Sequence, residues 1–330
     1  MARIVRFHEL GGPDVLRIEE YDPGEPGPEE VRLRVQAIGL NRAEALFRAG
    51  QYLEAAKLPA RIGYEAAGVV DAVGPDVASV AVGDAVSVIP AFSLNAYGTY
   101  GDMVILPAHC LVPTPAGQSV PEAAATWMQY LTAYGALVDI AGLGAGDAVI
   151  IPAASSSVGL AAIQIARMVG ATAIATTRSG AKSEALRRVG AHHVIATDHD
   201  DLVAEVGKIT DGQGARIAFD PVAGPAVEKL AAAAARGGTI FIYGLLSMQP
   251  TPFPTIPTLN KGLTMRGYTL FEIVSDADRL ARGKAFVLDG LTSGALKPII
   301  AQTFPLERIA DAHRYMELNE QFGKIVVTVE

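Results

Sequence analysis

The sequence predicts a two-part α/β protein, with a β-rich, irregular domain and a domain doubly wound around a parallel sheet. Three observations predict it. The chain has 330 residues, enough for two domains at roughly 150 residues each. Its first third is rich in Gly and Pro and carries short β-like runs. From about Ser119 onward, apolar strand-like runs alternate with helical segments, which is the pattern of right-handed βαβ crossovers.

In the first third, VRLRVQAIG (31–39), AAGVVDAVG (66–74) and AVSVIP (85–90) read as strands, set apart by turns such as PGEPGPEE (23–30) and GPDV (74–77). The segment 121–142 reads as helical and ends at Gly142. Strands follow at 147–153, 172–177, 193–197, 215–222 and 239–244, and helices at 157–170, 182–190, 200–209 and 225–235. The strand runs are almost continuously apolar, as in strands buried on both faces. After about Gly267 the alternation fades into a charged helix (276–289) and short β-like pieces ending in KIVVTV (324–329). This tail is expected to rejoin the first domain. That domain would comprise 1–122 and 268–330, with the doubly wound domain, 123–267, inserted between its parts.

Composition narrows the function. Half the residues are hydrophobic and 19% are charged, ordinary for a soluble globular protein. The net charge of −8 disfavours nucleic acid and anionic membranes as partners. Cys110 is the single cysteine, which leaves no internal disulfide and no cysteine zinc cluster. The opening MARIVRFHELGG lacks an apolar export signal, and no apolar stretch approaches a ~20-residue span. A cytoplasmic protein without membrane contact is the expectation.

The stretch from Ile150 to Gly159, IIPAASSSVG, reads as a strand-to-helix turn. A helix N-terminus presents unpaired N–H groups and partial positive charge, which suits a pyrophosphate. The usual fingerprint is G-x-G-x-x-G. Here Ala and Ser hold most glycine positions and Gly159 remains. Ser155, Ser156 and Ser157 add hydroxyls, with Val158 in the same turn. Such a run also makes an ordinary helix N-cap. Its place after the first strand of the alternating series favours a dinucleotide seat in a Rossmann domain. The next strand ends in TTRSGAK (176–182). An NAD-selective site places a carboxylate near there for the ribose 2′-hydroxyl. This chain instead offers Thr177, Arg178 and Lys182, which points to NADPH, since Arg and Lys bind a 2′-phosphate that a carboxylate repels. The alternative is a solvated Arg and a helix-face Lys. Val222, Gly244 and Leu245 lie at the C-terminal ends of later strands, where open α/β sheets bind ligands.

These residues resemble the medium-chain dehydrogenase/reductases, and among them the zinc-free, quinone oxidoreductase-like group. RFHELGGPDVLRIEE, PGPEEVRLRVQAIGLNRAEALFRAGQY, GYEAAGVVDAVGPDV, VGDAV, LTAYGAL and GKIVVTV carry the resemblance, which spans essentially the whole chain. It implies a GroES-like catalytic domain, a Rossmann cofactor domain, an active-site cleft between them and commonly a homodimer. The family's zinc enzymes have a Cys at or near Asn41, a His-Glu pair where Tyr64-Glu65 stands, and another Cys at about Met128. All three ligands are replaced together, the four-Cys structural zinc lobe is missing, and the six His residues show no paired metal-ligand spacing. No metal is therefore expected. The favoured chemistry is hydride transfer to an acceptor already activated by conjugation, a quinone or an α,β-unsaturated carbonyl.

The resemblance places Asn41 near the nicotinamide ribose; Asn41 also heads a capping box completed by Glu44. Tyr52 aligns with a pocket tyrosine. Tyr64 stands at the zinc-binding His position and should point into the cleft, as a hydrogen-bond donor or as filler of the vacated volume. Gln129 and Thr132 lie on the domain-joining helix, Thr132 toward the nicotinamide. Phe271 resembles a residue bordering the nicotinamide and the dimer seam, and Lys324 one that anchors cofactor. Asn41, Tyr52, Tyr64 and Gln129 are the candidate catalytic residues. The reading is an NADPH-dependent, zinc-independent oxidoreductase acting on a small conjugated acceptor. A 2-alkenal or enoyl thioester reductase is the nearest alternative. A non-catalytic NADPH-binding sensor or crystallin-like protein is the alternative of another class.

Overall fold

The computed structural model describes Met1–Glu330, and its backbone divides into two compact units. The first holds Met1–Met128 and Pro298–Glu330, the second Gln129–Lys297.

The first unit begins with strands β1 (Ala2–Phe7), β2 (Arg17–Tyr21) and β3 (Glu30–Gly39), and then helix α1 (Arg42–Arg48). Strands β4 (Ala60–Arg61), β5 (Glu65–Val73), β6 (Ala85–Val88), β7 (Met103–Pro107) and β8 (Leu111–Pro113) follow, and then α2 (Val120–Ala123). The alternating apolar residues of β3 explain its central place: Val31, Leu33 and Val35 all turn into the core. β3 pairs antiparallel with β5, β7 and the C-terminal strand. Two register shifts along the β3–β5 ladder bend the sheet, as bulges do.

The helical stretch foreseen at 121–142 is broken. α2 stops at Ala123, α3 runs Trp127–Tyr134, and Gly135–Ile140 forms a wider π-helical turn. Gly135 explains the tight fit at that turn, because a Cβ there would sit 2.2 Å from the Tyr268 hydroxyl.

The second unit is a six-stranded parallel sheet. Its strands are β9 (Ala148–Ile151), β10 (Thr172–Thr177), β11 (His193–Ala196), β12 (Ala215–Asp220), β13 (Ala234–Ile242) and β14 (Thr264–Gly267). The spatial order is β11-β10-β9-β12-β13-β14, the doubly wound order, which reverses direction between β9 and β12. Helices α4 (Ser157–Met168), α5 (Ser183–Val189), α6 (Leu202–Ile209) and α7 (Val227–Ala233) connect the strands. A core of Ile150, Ile174, Val206, Val227, Leu230 and Ile240 lies under α6 and α7.

Three expectations about this unit need revision. The helix read at 225–235 ends at Ala233, and Ala234 already pairs with Ala215. The Lys261 ammonium stops it by donating to the carbonyls of Ala231, Ala232 and Ala234 at 3.3, 2.6 and 2.7 Å. Strand β14, after α8 (Thr255–Lys261), was not foreseen. The charged helix exists as α10 (Ala277–Ser293), after the short α9 (Phe271–Val274), with Asp276 as N-cap. It belongs to the second unit, because Arg279 and Arg282 hold the Asp139 carboxylate at 2.7 and 3.2 Å. The second unit therefore runs from Gln129 to Lys297 rather than over 123–267. The chain then returns to the first unit as β15 (Ile300–Pro305), α11 (Ile309–Glu317) and β16 (Lys324–Thr328). No helix is long and apolar enough to cross a membrane.

Candidate functional site

In the second unit, the C-terminal ends of the parallel strands collect most of the candidate cofactor residues. β9 leads through Pro152–Ser156 into α4. Ala153 takes a left-handed conformation, φ 46°, and the Ala154 amide donates to the Thr176 carbonyl at 3.2 Å, which ties the turn to the end of β10. Ser156 is the N-cap, its hydroxyl accepting from the Gly159 amide at 3.1 Å. The capping role weighed from sequence therefore holds for Ser156. It answers one of the orphan amides of the first turn. Gly159 lets the helix seat on the turn: a Cβ there would lie 2.7 Å from the Ala154 oxygen and 2.8 Å from that of Ala153. Lys182 donates to the Ser155 hydroxyl at 3.2 Å, so a cation from the exit of β10 sits against the turn. Arg178 is exposed at the same exit, and Thr177 ends the strand.

Across the reversal point, the loops after β12 and β13 are laced together. The Ser247 amide donates to the Val222 carbonyl at 2.9 Å, and Leu246 to Pro221 at 3.0 Å. The buried Asp220 carboxylate holds the amides of Val222 and Ala223 at 2.8 and 3.1 Å. Gly244 fits against Pro221, and Leu245 is exposed. Gln129 and Thr132 are buried on α3. The side-chain oxygen of Gln129 is buried with no donor in reach. Phe271 opens α9, half-buried.

In the first unit, Asn41 caps α1. Its side-chain N–H donates to the Gly39 carbonyl at 3.0 Å, and its Oδ1 accepts from Lys324 Nζ at 2.6 Å. The same ammonium donates to Glu65 Oε2 at 2.6 Å, and Glu65 Oε1 accepts the Met128 amide at 3.1 Å. Lys324 and Glu65 are 1% and 0% exposed. Lys324, expected from the resemblance to anchor cofactor, has its ammonium bonded inside the unit to Glu65 and Asn41.

Tyr64 was expected to point into the cleft, as a hydrogen-bond donor or as filler of the vacated volume. It is wholly buried, its ring 6.3 Å from that of Tyr52 and 5.7 Å from that of Phe92. The packed, volume-filling alternative describes it. Its hydroxyl donates to the Tyr52 hydroxyl at 3.5 Å. Tyr52 is half-buried and is the phenol left with access to solvent. Burial pushes both phenols upward from their ordinary value, so they stay protonated donors.

Sequence reasoning gave no site role to four groups of this unit, Glu44, Arg48, Tyr100 and His313. Glu44 appeared only as a cap partner. Its carboxylate also accepts from the Tyr64 amide and the Tyr100 hydroxyl. His313 meets Tyr100 through Nε2 at 3.1 Å and Arg48 through Nδ1 at 3.4 Å. Burial and the charges of Arg48 and Arg42 push His313 down to about 3, so it is neutral. One signal was available: Ile309, Ala312, His313 and Met316 share the buried face of α11 at helical spacing.

The residues at the positions where the family's zinc enzymes bind metal do not fit a zinc ion. No three His, Cys, Asp or Glu side chains gather to hold a metal. Glu65 is already ion-paired with Lys324, and the buried Cys110 thiol donates to the Ala91 carbonyl at 3.7 Å.

Comparison with known proteins gives a consistent picture. Residues 27–116 match the alcohol dehydrogenase GroES-like domain, and residues 157–282 match the zinc-binding dehydrogenase domain. A 2-haloacrylate reductase of Burkholderia is 32% identical over 333 residues, covering 99% of this chain and 98% of the relative. A quinone oxidoreductase of Pseudomonas aeruginosa is 32% identical over 340 residues, covering 99% of each. The crystal structure of Escherichia coli quinone oxidoreductase complexed with NADPH superposes with a TM-score of 0.91 at 28% identity, covering 99% of both chains.

Proposed function

This chain belongs to the medium-chain dehydrogenase/reductase family, among its quinone oxidoreductase-like members, and on that premise we propose that it reduces quinones or other conjugated carbonyl acceptors with NADPH. The observation that carries the reading is the turn Ser155–Gly159 with Lys182 on its serine and Arg178 beside it. The open amides of α4 suit a pyrophosphate. Two cations, where an NAD site carries a carboxylate, suit a 2′-phosphate. The relative solved with NADPH supports the same choice. NADPH, when bound, supplies the hydride.

The chain's own residues would then orient and protonate the acceptor. Tyr52 offers an accessible O–H that burial keeps protonated, suited to an acceptor oxygen that gains negative charge. Tyr64 backs Tyr52 and limits its rotation. Asn41, fixed by Gly39 and Lys324, keeps one Oδ1 lone pair for a hydroxyl donor. Gln129 offers its unsatisfied oxygen to an N–H or O–H of the bound molecules. Thr132, Val222, Gly244, Leu245 and Phe271 would line the cofactor side.

A homodimer is part of this proposal. β14 forms an outer edge of its sheet, and in the segment that leads into it Phe253, Ile256 and Leu259 are exposed, an apolar stretch suited to a second copy. Light scattering tests it; a wild-type monomer would refute it. A reducing cytoplasm suits the buried Cys110 thiol, which burial pushes up to about 12.

The functional test follows NADPH loss with 1,4-benzoquinones, 2-alkenals and 2-enoyl thioesters. Turnover of quinones is the expected result. Turnover of the alkenals or thioesters alone favours the enoyl-reductase alternative, which the haloacrylate-reducing relative supports. Tight NADPH binding with no turnover of any acceptor favours a non-catalytic binding protein.

A further inference from the structure

The groups proposed to face the acceptor are held by a residue that does not face it. Glu44 is fully buried, and its carboxylate takes four hydrogens from three residues. Oε2 accepts the Asn41 amide at 2.7 Å and the Tyr100 hydroxyl at 2.5 Å. Oε1 accepts the Tyr64 amide at 2.9 Å and the Asn41 side-chain N–H at 3.3 Å. Asn41 and Tyr64 are 23 residues apart, one just before α1 and the other just before β5, and this one carboxylate ties them together. An N-cap partner would need only the Asn41 amide.

The direction of the network requires a carboxylate. Arg48 can only donate, so its contact makes His313 Nδ1 the acceptor. His313 Nε2 then carries the proton and donates to Tyr100, and Tyr100 donates to Glu44. Arg48 is itself fixed by Glu317 at 2.6 Å. The chain of donors thus runs from α11 through Tyr100 and ends on Glu44.

We propose that Glu44 is a positioning residue, which sets the placement of Asn41 and of the Tyr64–Tyr52 pair for acceptor reduction and is itself locked by Tyr100 and His313. The inference rests on the oxidoreductase reading above. Gln at position 44 has nearly the same shape but only one accepting oxygen. Its NH2 must then face the Asn41 amide or the Tyr64 amide, neither of which can accept, and the two segments move apart.

The test compares E44Q, Y100F and the double variant with the wild-type enzyme on whichever acceptor the wild type turns over. E44Q should lower kcat about 100-fold, the scale expected for a displacement of about 1 Å at reacting groups. The Kd for NADPH should stay within about threefold, since the pyrophosphate seat lies in the other unit. Y100F removes one hydrogen bond to a charged group and should lower kcat about tenfold. The double variant should be no slower than E44Q, because Tyr100 acts through Glu44. Wild-type kcat in E44Q or Y100F, even with a lowered melting temperature, would overturn the proposal, and so would losses that multiply in the double variant. If E44Q does not fold, Y100F decides alone. A crystal structure of E44Q, or of Y100F, reads the placement directly. Displacement of Asn41 and Tyr64 supports the proposal even if the wild type reduces none of the acceptors, an outcome that would sink only the functional reading. Unmoved residues would overturn it.

Discussion

Lys324→Met is the sharpest test of the first unit. From sequence, Lys324 looked like a cofactor anchor. In the structure its ammonium lies 2.6 Å from Glu65 and 2.6 Å from Asn41, and both charges of the pair are essentially out of water. Met keeps much of the volume and removes the charge. Glu65 is then a buried carboxylate without its cation, and losing one partner of a buried pair costs about 3–5 kcal/mol. In a unit of this size each kcal/mol lowers Tm by about 2–4 °C, so thermal unfolding followed by circular dichroism should show a fall of about 6–20 °C. The double change Lys324→Met with Glu65→Met removes both charges and should recover part of the loss, since apolar replacement of a whole buried pair is often near neutral. NADPH affinity of the folded single variant, read by fluorescence, should change little. A Tm within about 2 °C of wild type would refute the reasoning. So would a tenfold rise in Kd without a change in Tm, because the ammonium would then be acting on the cofactor.

Three more outcomes follow from the structure. Gly159→Ala places a Cβ 2.7–2.8 Å from two carbonyl oxygens of the turn, and overpacking of this kind costs about 1–3 kcal/mol. NADPH Kd should rise about tenfold, and an unchanged Kd by titration would show that the turn is not the pyrophosphate seat. Arg178→Ala should weaken NADPH about tenfold, the value of a charge-assisted hydrogen bond, and leave NADH unchanged; equal losses for both would refute its pairing with a 2′-phosphate. His313 is held neutral, at about 3 against an ordinary 6.5, so between those values the unfolded chain binds a proton that the native state refuses. Stability from this group is therefore complete above about pH 6.5 and falls as pH drops toward 3. His313→Gln should flatten urea-measured stability in that window by up to about 1.4 kcal/mol per pH unit, and a curve parallel to wild type would refute the assignment.

What could be read in advance depended on how local the information was. The sheet strands β9 to β13 are apolar runs between helical segments, and the sequence pattern marks each of them. β14 is Thr264–Gly267, four residues with a Thr and an Arg, and only its pairing with β13 makes it a strand. The π-helical turn at 135–140 arises from packing near Tyr268, a partner more than a hundred residues away. The site divides in the same manner. Ser155, Ser156, Gly159 and Lys182 fall within one β-turn-α-β stretch and were legible as a group. The Asn41–Lys324, Glu65–Lys324 and Tyr100–His313 bonds join residues 283, 259 and 213 positions apart. No periodicity records such pairings, so the sequence offers Lys324 as a cofactor anchor and does not show its bonds to Glu65 and Asn41.

The cofactor turn of the second unit and the buried network of the first are built by opposite means. The cofactor turn relies on backbone: helix amides, a left-handed Ala153 and a glycine that permits close approach. Backbone donors survive side-chain change, so Ala and Ser at fingerprint glycine positions would still leave the proposed seat its amides. The first unit instead relies on ionised side chains removed from water. Such groups are stable only when each accepts or donates almost all the hydrogen bonds it can, and this explains why one Glu44 carboxylate serves four donors and one Lys324 ammonium serves two acceptors. Glu65 balances Lys324 and Glu317 balances Arg48, so neither cation can lose its partner without being left uncompensated. Substitutions that touch no ligand can therefore still move Asn41 and the tyrosine pair. Changes in acceptor choice within this chain should arise as readily at Tyr100, His313 or Lys324 as at Tyr52, whereas cofactor choice should respond chiefly to Arg178 and Lys182.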